Sequence, residues 1–181
     1  MVASAAIELP SWAVVSEGRR EHIGRVAALI EAWARARGVE AREAARWREA
    51  ARLHDALRDA GPEELARWAP QGDWPLKLWH GPAAAGAAEA HGCTDRGILD
   101  AVRYHSVGFR GWDDAGRMLF LADYLEPGRT HDRAALDALA ARVPREPDAV
   151  LRAVVERRIR WAEQSGKPVR PETRELWTSL A

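Results

Sequence analysis

The chain has 181 residues, and its 27 Lys and Arg are matched by 27 Asp and Glu, so the net charge is near zero. That length fits one domain with a sizeable core, and the charge balance removes any global field that would favour nucleic acid or an anionic membrane, leaving only local basic patches. The single cysteine, Cys93, excludes an internal disulfide and a multi-cysteine zinc knuckle and fits a reducing compartment.

The opening stretch MVASAAIELPSWAVV is mildly apolar, carries Glu8 and Pro10, and lacks a basic n-region, so residues 1–16 read as an N-terminal extension rather than a targeting signal. No apolar run approaches the roughly 18 residues that a membrane-spanning helix needs. The expectation is a soluble, cytoplasmic protein with no membrane partner and no stable nucleic-acid binding; a homodimer is compatible with it.

A helical period then begins. Glu17 to Arg37 places Ile23, Val26, Ala27, Leu29, Ile30 and Trp33 on one face, and Gly38 stops it. Ala41 to about Leu57 repeats the pattern with Ala44, Trp47, Ala50, Ala51 and His54. Pro62 opens a short helix, and PQGDWP reads as a loop. Gly81-Pro82 starts an alanine-rich helix with Pro82 at the first helical position, where its missing N–H costs nothing. Small residues at 83, 84, 86, 87 and 88 suit close contact with a neighbour, and His91-Gly92 ends the helix. Further helices are predicted from Thr94 to His105, Asp113 to Tyr124, Ala134 to Val143, Pro147 to Ser165, and Pro171 to the end. No period-two, β-branched stretch is long enough for a strand, so the class is all-α. The nine tryptophans are scattered along the chain, which argues against a general base-stacking surface.

The dipeptide His-Asp occurs twice, at His54-Asp55 and His131-Asp132. His54 continues the inner row of the second helix, whereas no apolar row leads into His131. That second pair reads as a helix start, with Thr130 as N-cap and Asp132 favouring the positive helix end. His91 reads as a helix C-terminal residue. His22 lies on the apolar stripe of the first helix with Val26 and Leu29, His105 extends the row Ile98, Ala101, Val102, and Asp123 extends Leu119 and Phe120. His80 precedes the Gly81-Pro82 helix start. Any one of these could be satisfied by ordinary core hydrogen bonds. Together with Asp55 they would need six separate partners, and one shared metal site satisfies them all. Imidazole and carboxylate donors without thiolate suit Fe, Mn, Co or Zn, and six ligands exceed the four of a structural zinc.

These residues follow the order His, His-Asp, His, His, Asp, which resembles the HD superfamily of metal-dependent phosphohydrolases. The local words LHD, WHGPAAAG, ILDAVRYHSVG and FLADYLEPGR are similar to its YqeK-type branch, the symmetrical diadenosine tetraphosphate hydrolases. The likeness covers about residues 17 to 160. It implies a single HD-domain helical bundle over 17–166 and a C-terminal helical tail at 167–181. It also implies two divalent metal ions, iron in the first place with Mn, Co or Zn also suited, and cleavage of a dinucleoside polyphosphate into two ADP. His22, His54, Asp55, His80, His105 and Asp123 carry over as metal ligands, with Asp55 bridging. Arg103 and Arg129 match the motif arginines and would stabilise developing charge on phosphoryl oxygens. Lys77 and Arg110 join them as candidate substrate contacts. Arg58 stands where the family has a lysine, which keeps the charge but gives a poorer proton donor, and Ser106 replaces a threonine after the fourth histidine. Arg110 and Trp112, in VGFRGWDDAG, read first as surface residues. Two alternatives remain: an HD phosphohydrolase acting on a nucleoside monophosphate, an alarmone or a cyclic dinucleotide, and a metal-bearing nucleotide sensor without turnover, for which Arg58 is the best argument.

Overall fold

Punctuation by glycine, proline and capping carboxylates divides the chain into helices. A computed structural model describes residues 7–69 and 74–180, so most of the predicted PQGDWP loop and the first six residues of the extension lie outside the described residues. Within them are α1 (Glu17–Ala36), α2 (Ala41–Leu53), α3 (Pro62–Trp68), α4 (His80–Ala90), α5 (Arg96–Tyr104), α6 (Asp114–Leu125), α7 (Arg133–Arg142), α8 (Pro147–Gln164) and α9 (Pro171–Ser179), with a 3-10 turn at Leu76–Leu78. No strand occurs among the described residues, and the fold is an all-helical bundle. No helix among them is long and apolar enough to cross a membrane.

The centre of the bundle is α2, α5 and α6, which pack on one another; α1 lies across α2 and α6, and α4 lies along α5. Trp47, Leu99 and Phe120 contribute one fully buried side chain from each of the three central helices. Farther out, α8 packs on α6, and α9 packs back on α8. The α9 helix is anchored by Leu176 in the core and by Thr173, whose hydroxyl donates to the Val107 carbonyl at 2.5 Å.

Several boundaries differ from the sequence reading, each for a local reason. The second helix ends at Leu53 rather than near Leu57, because the chain after it closes into tighter turns, with Ala56 N–H donating to Leu53 O and Arg58 N–H to Asp55 O. The alanine-rich helix begins at His80, so Pro82 is its third residue; Pro82 still lies in the first turn, whose N–H groups have no helical partner. Its predicted close contact is real. A Cβ at Gly86 would stand 2.2 Å from the Trp68 carbonyl oxygen, so only glycine lets α3 approach α4 this closely. Thr130 is not the cap of α7; Asp132 holds that position in a left-handed conformation, φ 50°, and its carboxylate pairs with Arg157 instead of capping. Trp112 is not a surface residue. It is 5% exposed, packs on Phe120 and donates its indole N–H to Asp100 O at 3.0 Å, in space that Gly116 leaves open.

One ion network ties three of these elements together. Asp95 and Asp113 cap α5 and α6 through their carboxylates, and Arg46 on α2 reaches both: two hydrogen bonds to Asp95, at 2.7 and 2.9 Å, and one to Asp113 at 2.6 Å. The hydrogen bonds from Arg46 hold the Asp95 carboxyl at a pKa of about 2. A carboxyl depressed on folding adds stability above its unfolded pKa, and this is lost as pH falls through the folded value, here between about pH 4 and pH 2. Removing the guanidinium by Arg46→Ala is expected to cost about 1–2 kcal/mol, since the contact is a bidentate network rather than a lone surface pair, and to lower Tm by about 3–6 °C. Thermal melts at pH 7 and pH 2.5 check this: the deficit should shrink at the lower pH, and an equal deficit at both would contradict the assignment.

Candidate metal centre

Three of the four inward histidines are held in the same way. At a helix end the last carbonyls have no helical N–H partner, and His54, just past α2, turns its Nδ1 to Ala51 O at 2.7 Å. His105, just past α5, does the same with Val102 O at 2.8 Å. His80 meets Lys77 O, in the 3-10 turn, at 3.0 Å. A carbonyl only accepts, so each Nδ1 carries a proton, and in the neutral ring each Nε2 is left as a bare lone pair pointing inward. His22 reaches the same centre from α1, its Nδ1 against the Glu126 carboxylate at 3.2 Å.

The inward nitrogens converge. His22 and His54 place their Nε2 atoms 3.4 Å apart, and His80 and His105 place theirs 3.2 Å apart. Gly81 makes the second approach feasible, since a Cβ there would stand 2.8 Å from Arg103 O and 3.3 Å from the His105 ring. Asp123 Oδ1 lies 3.2 Å from His22 Nε2. Asp55 sits between the two pairs: Oδ1 is 3.3 Å from His80 and 3.4 Å from His105, while Oδ2 is 3.7 Å from His22 and 3.6 Å from His54. The early end of α2 at Leu53 lets consecutive residues, His54 and Asp55, address one centre.

Two groups result, His22–His54–Asp123 and Asp55–His80–His105, each able to hold a metal ion. The donor set fits a cation. Lone pairs on bare imidazole nitrogens facing each other and facing carboxylate oxygens repel, and a divalent ion between them turns that repulsion into coordination. Protonation supplies the counter-charge only partly. Burial pushes the His54 imidazole down to about 4, and His80 also falls below its ordinary value through burial. For His22 burial acts downward too, but hydrogen bonds to Asp123 and Glu126 outweigh it and raise the value. Burial would push Asp55 and Asp123 up, yet both stand well below the usual carboxylate range: the imidazoles around them lower it in their protonated form, and for Asp123 the His22 hydrogen bond and the Arg129 charge act the same way.

Partners of the ligand candidates were not legible as such. Glu126 accepts from Arg25 Nε at 2.6 Å and from the Gly128 N–H at 2.6 Å besides facing His22, and it is 2% exposed. Burial alone would raise its carboxyl, but these partners hold it near a pKa of about 2. Its spacing from Asp123, three residues on, is the signal that places both side chains on one side of the chain. Arg19 Nη1 meets Asp55 Oδ2 at 2.6 Å. Ser106 Oγ stands 3.2 Å from His80 Nε2 and 3.1 Å from His105 Nε2.

Beside Asp123 and Ser106 opens a cavity of about 890 Å³. Of the sequence-predicted substrate residues, Arg129 and Lys77 line it. Arg129 also donates from Nη2 to Asp123 Oδ1 at 2.7 Å and to Asp123 O at 2.9 Å. Arg103 is half-buried and Arg110 is exposed, 3.8 Å from Glu175, and neither belongs to the cavity wall. Arg58 is half-buried in the turn after Asp55, close enough for its charge to act on His80. His131-Asp132 lies outside both ligand groups, although His131 itself borders the cavity. His91 caps the end of α4, its Nδ1 on Ala87 O at 2.7 Å.

Residues 19–128 match the HD domain family model. The chain belongs to the HD domain family. That family is one of metal-dependent hydrolases. This HD chain is 38% identical over 55 residues to the symmetrical bis(5'-nucleosyl)-tetraphosphatase of Staphylococcus aureus, covering 30% of this chain and 28% of that protein. It is 41% identical over 54 residues to the enzyme of the same name from Bacillus subtilis, covering 29% of each. The matches thus span under a third of those curated relatives. Among solved structures, the chain is similar to an HD superfamily hydrolase of Clostridium acetobutylicum described as involved in NAD metabolism. That similarity has a TM-score of 0.78 at 21% identity, covering 92% of this chain and 90% of that one, and it shows the fold alone.

Two substitutions test the choice of His-Asp pair. His54→Ala is expected to abolish retention of metal in protein purified without added ions, and His131→Ala to leave metal content at the wild-type level, as read by elemental analysis. Equal losses would overturn the choice. Glu126→Gln should weaken metal affinity by about tenfold to 100-fold, the usual effect of removing a ligand's outer partner; an unchanged chelator titration would show that Glu126 orients nothing.

Proposed function

We propose that the chain hydrolyses diadenosine tetraphosphate symmetrically, giving two ADP. The observation that carries this reading is that Asp55 turns one oxygen to the histidines of each group, beside a cavity that Asp123 lines and that has a cationic wall. His22, His54 and Asp123 would hold one divalent ion, and His80 and His105 the other, with Asp55 shared; iron is the first candidate, and Mn, Co or Zn suit the same donors. When bound, such a pair of ions supplies an activated water near neutral pH and a clamp on phosphoryl oxygens.

The chain's own residues do the rest. Arg129 fixes the Asp123 carboxylate and reaches the cavity, where a planar, permanently charged fork suits polyphosphate oxygens. Ser106 offers a hydroxyl at the edge of the Asp55–His80–His105 group. Lys77 adds charge at the rim. The central anhydride bond breaks: the water oxygen stays on one inner phosphorus, and the bridging oxygen leaves with the other ADP. The names of the two partial relatives support this substrate class.

Chromatography of the products decides the reading. Two ADP per diadenosine tetraphosphate are expected, with Asp55→Asn lowering kcat by at least about 100-fold. ATP plus AMP would refute symmetrical cleavage. Turnover confined to a nucleoside monophosphate, an alarmone or a cyclic dinucleotide would replace the substrate. Tight nucleotide binding by the metal-loaded protein without product would make it a sensor.

A further inference from the structure

The family match ends at residue 128, yet much of the cavity wall comes from later in the chain: Arg157, Arg158, Arg160 and Trp161 on α8, Lys167 in the turn after it, and Arg170 capping α9. Among the described residues the only carboxylate on that wall is Asp123, which belongs to one of the two candidate ligand groups. Some of these cations are already answered, Arg157 by Asp132 and Arg160 by Glu156.

Arg158 has no carboxylate partner among the described residues. One of its Nη atoms donates to the Ser106 carbonyl, and the guanidinium lies over the Phe120 ring, 4.8 Å from the centroid. Arg158 is half-buried, and withdrawing part of a guanidinium from water is unfavourable unless an anion and further hydrogen bonds compensate. Ser106 is also the residue whose hydroxyl touches His80 and His105, so this cation stands beside the candidate metal centre. An anion bound in the cavity would supply the missing partner, and a phosphate matches the fork.

Farther along α8, Trp161 is 57% exposed, the most exposed of the large apolar side chains among the described residues, and it lines the same cavity. Lys167 Nζ stands 4.2 Å from its ring centroid. An apolar plane with a cation over one face, the ring otherwise exposed, matches a nucleotide, which presents a base and a phosphate together. The cavity, about 890 Å³, lies towards the top of the roughly 300–1,000 Å³ typical of ligand sites, which leaves room beyond a single phosphate group.

We propose that Arg158, Trp161 and Lys167 form a nucleotide subsite built by α8 and the turn after it, in which Arg158 binds a phosphate beside the metal centre, Trp161 stacks the nucleobase and Lys167 meets the adjoining phosphate. This rests on reading the centre as a nucleoside polyphosphate hydrolase and adds the part that selects for a nucleoside at the far end. The α8 segment then contributes specificity, whereas the HD-matched segment contributes the metal donors.

Calorimetric titration of the full-length, metal-loaded protein with ADP and with inorganic tripolyphosphate separates base from phosphate recognition. Trp161→Leu is expected to weaken ADP binding by about tenfold, with Trp161→Phe recovering most of it, while tripolyphosphate affinity stays at the wild-type value. Arg158→Met should weaken both probes by about tenfold or more, and Arg158→Lys should recover part of the loss. Trp161 is exposed, so its variants carry the test if Arg158→Met does not fold. Unchanged ADP affinity in Trp161→Leu, or equal weakening of ADP and tripolyphosphate, overturns the subsite. A wild-type protein that binds ADP through Trp161 but releases no ADP from diadenosine tetraphosphate keeps the subsite and sinks the proposed reaction. Release of two ADP with the same KM in wild type and Trp161→Leu does the reverse.

Discussion

Bare imidazole lone pairs facing one another, across a shared carboxylate, are the constraint from which the site follows. Three Nδ1–H groups are committed to carbonyls at 2.7–3.0 Å, so their Nε2 atoms have no proton to offer one another. Water cannot easily relieve this, because His54, Asp55, His80 and His105 are all buried. Only positive charge between them does, and the two carboxylates, held ionised, add to the demand.

The bundle meets that demand with helix ends. Carbonyls left over by the last turns of α2 and α5 and by the 3-10 turn before α4 orient three rings at no extra expense in hydrogen bonds, since those acceptors lacked partners anyway. Bringing the ends together takes backbone proximity, which Gly81 permits at the start of α4. His22 is the exception: it comes from within α1 and is oriented by a side chain, Glu126, itself fixed by Arg25 and the Gly128 N–H.

Net charge near zero conceals a local imbalance. Acidic groups elsewhere are spent on caps and surface pairs, such as Asp95, Asp113 and Glu146, while cations from α8 and its following turn collect on one wall of a cavity that begins at Asp123. The candidate metal donors and the cationic wall therefore come from different stretches of the chain and meet because α8 packs against α6.

The sequence alone determined the all-helical class and the order of helices, and it named six candidate donors. A buried apolar row with period 3.6 shows which polar residues share its inward face, which singles out His22, His54, His105 and Asp123, while Asp55 entered as the neighbour of His54 and His80 as the residue before a helix start. Periodicity carried no information where the helix stopped repeating: the end of α2 at Leu53, the early start of α4 at His80 and the 3-10 turn before it were decided by turn closure and packing. Arg158 looked like any other arginine of a charged helix, Trp161 like one of nine scattered tryptophans, and Trp112 like surface. Which of them faced a cavity depended on the packing of α8 and α6 and on the space left at Gly116. A residue's place on its own helix is a local property written in the sequence; what stands opposite it is a property of two surfaces meeting, and only the tertiary structure brings those together.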